Sequence, residues 1–296
     1  MENTATLTQW IQGARPRTLP TAVSPVLVGT GAAIGTGIVA PGRALLALLV
    51  AVALVIGVNF ANDYSDGIRG TDDDRVGPLR LVGSKLATPV AVRAAAAVSL
   101  SVAALAGLTL VSLSRQWWLI GVGAACLAGA WYYTGGKRPY GYAGLGELAV
   151  FIFFGPVAVL GTVLTQSGPP GPLAVVGAVG VGMLACAVLV ANNLRDIPTD
   201  TIADKRTLAV LLGDTDTRRL YAALVLTPFL LSAVAGLRSW PMLLGLLAVP
   251  LAVTPVRRVL GGAGGRRLIR VLGATGMLLL VWSAATGLGL VLGLVA

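Results

Sequence analysis

Nine apolar stretches, each about 17 to 25 residues long, divide this 296-residue chain. They lie near 19–38, 44–62, 88–112, 117–134, 147–166, 172–193, 218–237, 240–258 and 270–294. A stretch of that length matches the hydrocarbon thickness of a bilayer, where a spanning backbone must satisfy its own N–H and C=O groups, as a helix does. Only 11% of the residues are charged and 56% are hydrophobic, whereas soluble domains carry about a quarter charged residues. The chain therefore reads as a single all-α integral membrane domain, 1–296, of nine transmembrane helices.

The net charge of +10 does not point to nucleic acid, because the basic residues are spread between apolar spans without the interleaved aromatics of single-strand binders. It fits membrane orientation. With the N-terminus placed inside, all but Arg43, Arg115 and Arg238 of the 22 basic residues fall on one side, which the positive-inside rule assigns to the cytoplasm of a cell membrane. Residues 1–12 lack a basic n-region and a small-residue cleavage site, so no cleavable signal peptide is expected. Cys126 and Cys186 lie in apolar runs without metal-ligand spacing and read as packing residues. There is no histidine, which removes imidazole from any mechanism and leaves oxygen as the donor for any metal.

Ten of the twelve acidic residues fall in two stretches, Asp63 to Asp74 and Asp196 to Asp216. Ionised groups beside a bilayer are costly and are usually kept for function. The stretches contain a weak repeat: Ala61-Asn62-Asp63-Tyr64-Ser65-Asp66 resembles Ala191-Asn192-Asn193-Leu194-Arg195-Asp196. Each copy ends a helix, the second and the sixth. An even number of spans between them puts both motifs at one membrane face, as two carboxylate walls of one cavity. Asn62 and Asp66 are four apart and share a helix face. Asp196, Asp200 and Asp204 also recur every four residues, although Pro198 is expected to kink or end the helix near Arg195. Oxygen-only ligands suit Mg²⁺ bridging protein carboxylates to substrate phosphates. The interspersed Arg69, Arg75, Arg80, Lys85, Arg195, Lys205 and Arg206 suit a diphosphate. Gly135 to Tyr140 adds a basic and aromatic loop on the same side. Glu147 begins the fifth span as either a helix cap or a functional carboxylate.

These residues resemble the intramembrane aromatic prenyltransferases of the UbiA superfamily, whose motifs have the forms NxxxDxxxD and DxxxD. Asn62 and Asp66 match the first and Asp196 and Asp200 the second, while the third position of the first motif falls on Gly70, with acids displaced to Asp72, Asp73 and Asp74. Arg15 to Pro20, Gly144 to Glu147, Phe153 to Pro156 and Asp204 to Ala209 are similar to the menaquinone branch, which acts on 1,4-dihydroxy-2-naphthoate. The resemblance implies nine helices around a central cavity that opens to the cytoplasm. It implies Mg²⁺ as cofactor, a polyprenyl diphosphate and 1,4-dihydroxy-2-naphthoate as substrates, and loss of diphosphate and carbon dioxide to give demethylmenaquinone.

On that basis Asp66, Asp196 and Asp200 are the principal metal ligands, with Asn62, Asp63 and Asp72 completing or orienting the shell. Lys137, Arg138, Lys205 and Arg206 contact the diphosphate or the acceptor carboxylate, Lys137 with a catalytic role. Tyr133, Asn192, Asn193 and Arg195 line the substrate site. Another aromatic acceptor, such as 4-hydroxybenzoate, and a cation-coupled secondary transporter are the competing readings. Transport sites tend to lie near the bilayer midplane, whereas these acids flank polar loops. Prenyl chain length and oligomeric state leave no mark in the sequence.

Overall fold

A computed structural model of the chain describes residues 5–70 and 79–293, and among them every regular element is helical. Helix α1 (Leu7–Gly13) leads into α2 (Pro20–Ile34), α3 (Pro41–Ile68), α4 (Pro89–Ser114) and α5 (Leu119–Tyr132). There follow α6 (Gly146–Gln166), α7 (Pro172–Ile202), α8 (Leu208–Gly236), α9 (Trp240–Leu260) and α10 (Arg266–Leu292). Helix starts are written locally. Pro20, Pro41, Pro89 and Pro172 sit in the first turn, where the missing N–H costs nothing and φ is already helical. Thr88 and Thr207 cap α4 and α8 by accepting from the amides of Ala91 (3.2 Å) and Val210 (3.4 Å).

Seven of these helices, α3, α4 and α6 to α10, are long and apolar enough to cross a membrane. The first and fourth expected spans become the shorter apolar helices α2 and α5, about 22 and 21 Å long at 1.5 Å per residue.

Three boundaries differ from expectation. Helix α3 runs to Ile68, and α7 runs through Pro198 to Ile202, so both acidic motifs are helical and lie in the closing turns of their helices. Pro198 removes one backbone donor, but α7 packs on α2, α6, α8 and α10 and is the most deeply buried of the long helices. That packing outweighs one lost bond. Helix α8 begins ten residues earlier than its apolar stretch, because a short apolar segment, Leu208 to Leu212, is joined to the span through the polar run Asp214 to Arg219 and through Gly213, whose φ of 77° is left-handed.

Neighbouring helices pack into a ring: α3 along α4, α7 along α8, and α2 against α10, so that helices from opposite parts of the chain meet. Glycine permits the last contact. A Cβ on Gly31 would lie 2.4 Å from the carbonyl oxygen of Gly287, closer than any real contact, so α2 and α10 touch backbone to backbone. The core behind this seam contains Trp282, fully buried, whose Nε1 donates to Ser232 Oγ at 3.2 Å. The Tyr221 hydroxyl meets Thr275 Oγ1 at 2.7 Å. At the end of the bundle away from the acids, Arg43 donates to the carbonyls of Thr165 (3.2 Å) and Leu113 (2.8 Å), tying three helix ends together.

Gly31→Ala should separate α2 from α10 and cost about 1–3 kcal/mol. This is read as a lowered thermal transition in detergent; a wild-type transition would contradict the close seam.

Candidate active site

The last turns of α3 form one wall. Asn59 turns towards the elbow between α1 and α2, donating to Ala14 O and Thr18 Oγ1, both at 3.0 Å. Asn62 accepts from the Thr134 hydroxyl at 2.8 Å. Asp63, fully buried, accepts from the backbone amides of Leu81 (2.7 Å) and Val82 (3.1 Å). Those two bonds fasten the loop that precedes α4, and the fastening delivers Arg80, whose Nη2 lies 3.1 Å from Asp66 Oδ2. The other oxygen of Asp66 accepts from the Tyr142 hydroxyl and lies 3.4 Å from Lys205 Nζ. Lys205 Nζ also sits 4.6 Å from the centroid of the Tyr142 ring, a cation–π contact. One buried carboxylate thus gathers two cations and a phenol from three separate loops.

The end of α7 forms the facing wall. Because the helix continues past Pro198, Asn192, Asp196 and Asp200 follow at spacings of four and line the same cavity. Arg195 forks onto Asp196, Nε to Oδ1 and Nη2 to Oδ2 both at 2.7 Å, and reaches Asn192 Oδ1 at 2.8 Å. Glu147, at the start of α6, is buried and accepts from Asn193 Nδ2 at 2.9 Å. That bond fixes which way the amide of Asn193 turns. Tyr140, in the loop after α5, donates to Gly129 O at 2.7 Å; burial pushes its phenol up to about 12, so it remains a donor at neutral pH.

Between the walls lies a cavity of about 590 Å³. Its mouth carries Arg15, Asp66, Arg80, Asp196, Asp200 and Lys205. Deeper in, it is lined by apolar side chains such as Val26, Leu54, Leu110, Leu119, Phe153 and Val157. A cavity charged at one end and apolar along its length suits a molecule with an anionic head and a hydrocarbon tail. Among the described residues no three acidic or thiol side chains converge tightly enough to cage a metal by themselves. Carboxylates on opposite walls do fit a hard cation that keeps several waters and bridges protein oxygens to phosphate.

The sequence model of the UbiA prenyltransferase family matches residues 22–266. The chain belongs to this family. It is 60% identical, over 98% of its length and 99% of the relative's, to the 1,4-dihydroxy-2-naphthoate octaprenyltransferase of Mycobacterium tuberculosis (strain ATCC 25618 / H37Rv). It is 40% identical to the protein of the same name from Escherichia coli (strain K12), over 85% of this chain and 84% of that one. Among solved structures, the UbiA homolog from Archaeoglobus fulgidus bound to DMAPP and Mg²⁺ superposes with a TM-score of 0.64 at 14% identity, covering 94% of this chain and 99% of that one. At that identity the likeness concerns the fold.

The UbiA fold brings together most, but not all, of the residues singled out from the sequence. Asn62, Asp66, Tyr133, Asn192, Asn193, Asp196, Asp200 and Lys205 line the cavity. Asp63 does not: both its oxygens are engaged by the loop amides, which gives it a structural place instead of the ligand position expected. Arg195 is buried beside Asp196, outside the lining. Lys137 and Arg138 are exposed on the loop after α5 and do not reach the cavity wall. Arg206 is exposed and lies 3.8 Å from Asp204, which has left the helix with a left-handed φ of 51°. Asp72 lies outside the described residues.

Tyr142 and Thr134 line the cavity and were not singled out from the sequence, whereas Arg80, expected there among the diphosphate cations, pairs with Asp66, and Glu147, open between a cap and a functional carboxylate, holds Asn193. Tyr142 sits two residues beyond an aromatic loop already noted. Arg80 pairs with a carboxylate fourteen residues earlier through a turn that no local pattern announces.

Asp63→Asn should therefore destabilise the protein, on the order of 2 kcal/mol for a weakened charge-assisted pair of hydrogen bonds, as measured by thermal unfolding in detergent. Asp66→Ala should also lower stability, by about 3–5 kcal/mol, since it leaves the Arg80 and Lys205 cations buried together.

Proposed function

We propose that this chain transfers a polyprenyl group from a polyprenyl diphosphate to 1,4-dihydroxy-2-naphthoate, as part of menaquinone biosynthesis. The observation that carries the reading is a cavity charged at its mouth and apolar in its depth, in a chain 60% identical to a protein named for that reaction. The diphosphate sits among Arg80, Lys205, Asp66, Asp196 and Asp200, and the isoprenoid tail extends past Leu54, Leu110 and Phe153.

Asp66, Asp196 and Asp200 would hold Mg²⁺, which would supply positive charge to offset that on the leaving group. Arg80 and Lys205 hold the same negative charge as it develops, acting as pre-aimed cations in a poorly solvated site. The allylic C–O bond breaks and its electron pair leaves with the diphosphate. A ring carbon of the electron-rich naphthoate then forms the new C–C bond, and that carbon's carboxyl group departs as carbon dioxide, restoring the aromatic ring. The apolar wall keeps water from the electron-poor allylic carbon. Asn193, oriented by Glu147, and Tyr133 are placed to position the acceptor.

In the membrane we read the protein as nine spans forming one domain, with α2 and α5 completing the crossing begun by the seven long helices. The concentration of Arg and Lys at the mouth end supports a mouth that opens to the cytoplasm.

Purified protein given a polyprenyl diphosphate and 1,4-dihydroxy-2-naphthoate should release diphosphate and form the prenylated quinol in Mg²⁺, detected as demethylmenaquinone after oxidation by air, and should stop in excess EDTA. Asp200→Asn should lower kcat on the order of a hundredfold. Turnover of 4-hydroxybenzoate in place of the naphthoate would overturn the acceptor assignment, and metal-independent turnover would overturn the role of the carboxylates.

A further inference from the structure

A second cavity, about 490 Å³, lies on the outer side of the bundle between α8 and α9 and shares no lining residue with the first. Leu226 and Leu230 of α8 and Val249, Val253 and Val256 of α9 form its walls, and Arg257 closes one end. Four of these apolar side chains, Leu226, Leu230, Val249 and Val253, are exposed. On its own such a groove would take any hydrocarbon chain.

The charge at its end is what makes it selective. Arg257 and Arg258 end α9, and across the turn Gly261 to Gly265 come Arg266, Arg267 and Arg270, all five exposed. From Thr217 onward the sequence has no Asp or Glu, and among the described residues none of these five arginines forms an ion pair. The contrast is with their neighbours: Arg218 and Arg219 are matched by Asp214 (2.6 Å) and Asp216 (2.9 Å). Arg218 also donates to Val259 O (2.6 Å) and Ala263 O (2.9 Å). It pins the turn to α8, so the unmatched guanidiniums are displayed on a fixed support at the mouth end of the bundle, where a headgroup layer would lie.

We propose that the α8–α9 groove and the arginines at its end form a binding site for an anionic phospholipid. One acyl chain lies along Leu226, Leu230 and Val253, and the headgroup phosphate meets Arg257 and Arg258, with Arg266 and Arg267 adding long-range attraction. Arginine suits this place because its planar donor fork matches phosphate oxygens, and basic residues at an anionic leaflet each strengthen binding.

The test is native mass spectrometry of the full-length protein in detergent, titrated with phosphatidylglycerol, cardiolipin or phosphatidylcholine, with inorganic phosphate as competitor. Wild-type protein should retain the anionic lipids about tenfold more strongly than phosphatidylcholine. Arg257→Gln with Arg258→Gln should bring the two classes near parity. Val253→Trp, which fills the groove and keeps every charge, should weaken both, and Leu230→Trp on the opposite wall serves if the first variant lowers the thermal transition. Equal retention of both lipid classes by the wild type, or an undiminished preference in the double variant, would overturn the proposal. So would displacement of the lipid by millimolar inorganic phosphate together with indifference to both tryptophan variants, since that would leave only a surface anion patch. None of these residues lines the cavity, so prenyl transfer in detergent should match the wild type in all variants.

Discussion

The structure depends on a buried carboxylate that several parts of the chain must reach. Asp66 takes Arg80 from the loop before α4, Tyr142 from the loop after α5, and Lys205 from the loop after α7. An ion of either sign left alone at that depth would be costly, so the three loops are held in place by the cost of withdrawing any one of them. The mouth of the cavity is therefore shaped by electrostatic necessity more than by regular secondary structure. The same charges are the ones a diphosphate and its cation would rearrange.

Adjacent acids have been given different work. Asp63 and Asp66 are three residues apart on one helix, yet Asp63 faces the loop amides and Asp66 faces the cavity. Asp63 makes the loop that carries Arg80, and Arg80 neutralises Asp66, so one carboxylate indirectly sets the environment of the other. On the facing wall Arg195 has a similar supporting relation to Asp196: it is bonded to both of the carboxylate's oxygens and to Asn192.

Much of this was legible in sequence because lipid enforces simple rules. The apolar stretches lie where the helices lie, and the Asn62–Asp66 and Asp196–Asp200 spacings needed only helical periodicity to be placed on cavity-facing surfaces. What escaped depends on tertiary partners. Nothing in the spacing told Asp63 from Asp66, since the difference lies in where the amides of Leu81 and Val82 fall. Asp204 continued the four-residue rhythm in sequence, but the helix ends at Ile202. Lys137 and Arg138 looked like anion ligands by charge, yet the tight turn around Gly136 leaves them outside the cavity. Pro198 misled in the opposite direction, because a local rule about one missing hydrogen bond was outweighed by burial of the whole helix.

The seam between α2 and α10 bears on how the molecule is made. Helix α2 emerges from the ribosome well before α10, and their backbones meet only once the intervening helices have been laid into the bilayer. Until then the glycine face of α2 and the pocket that receives Trp282 must be filled by lipid or by the insertion machinery. The cavity wall is thus sealed at the end of biogenesis, and a nascent chain interrupted before α10 would present a half-ring, with its polar mouth assembled but one side still facing hydrocarbon.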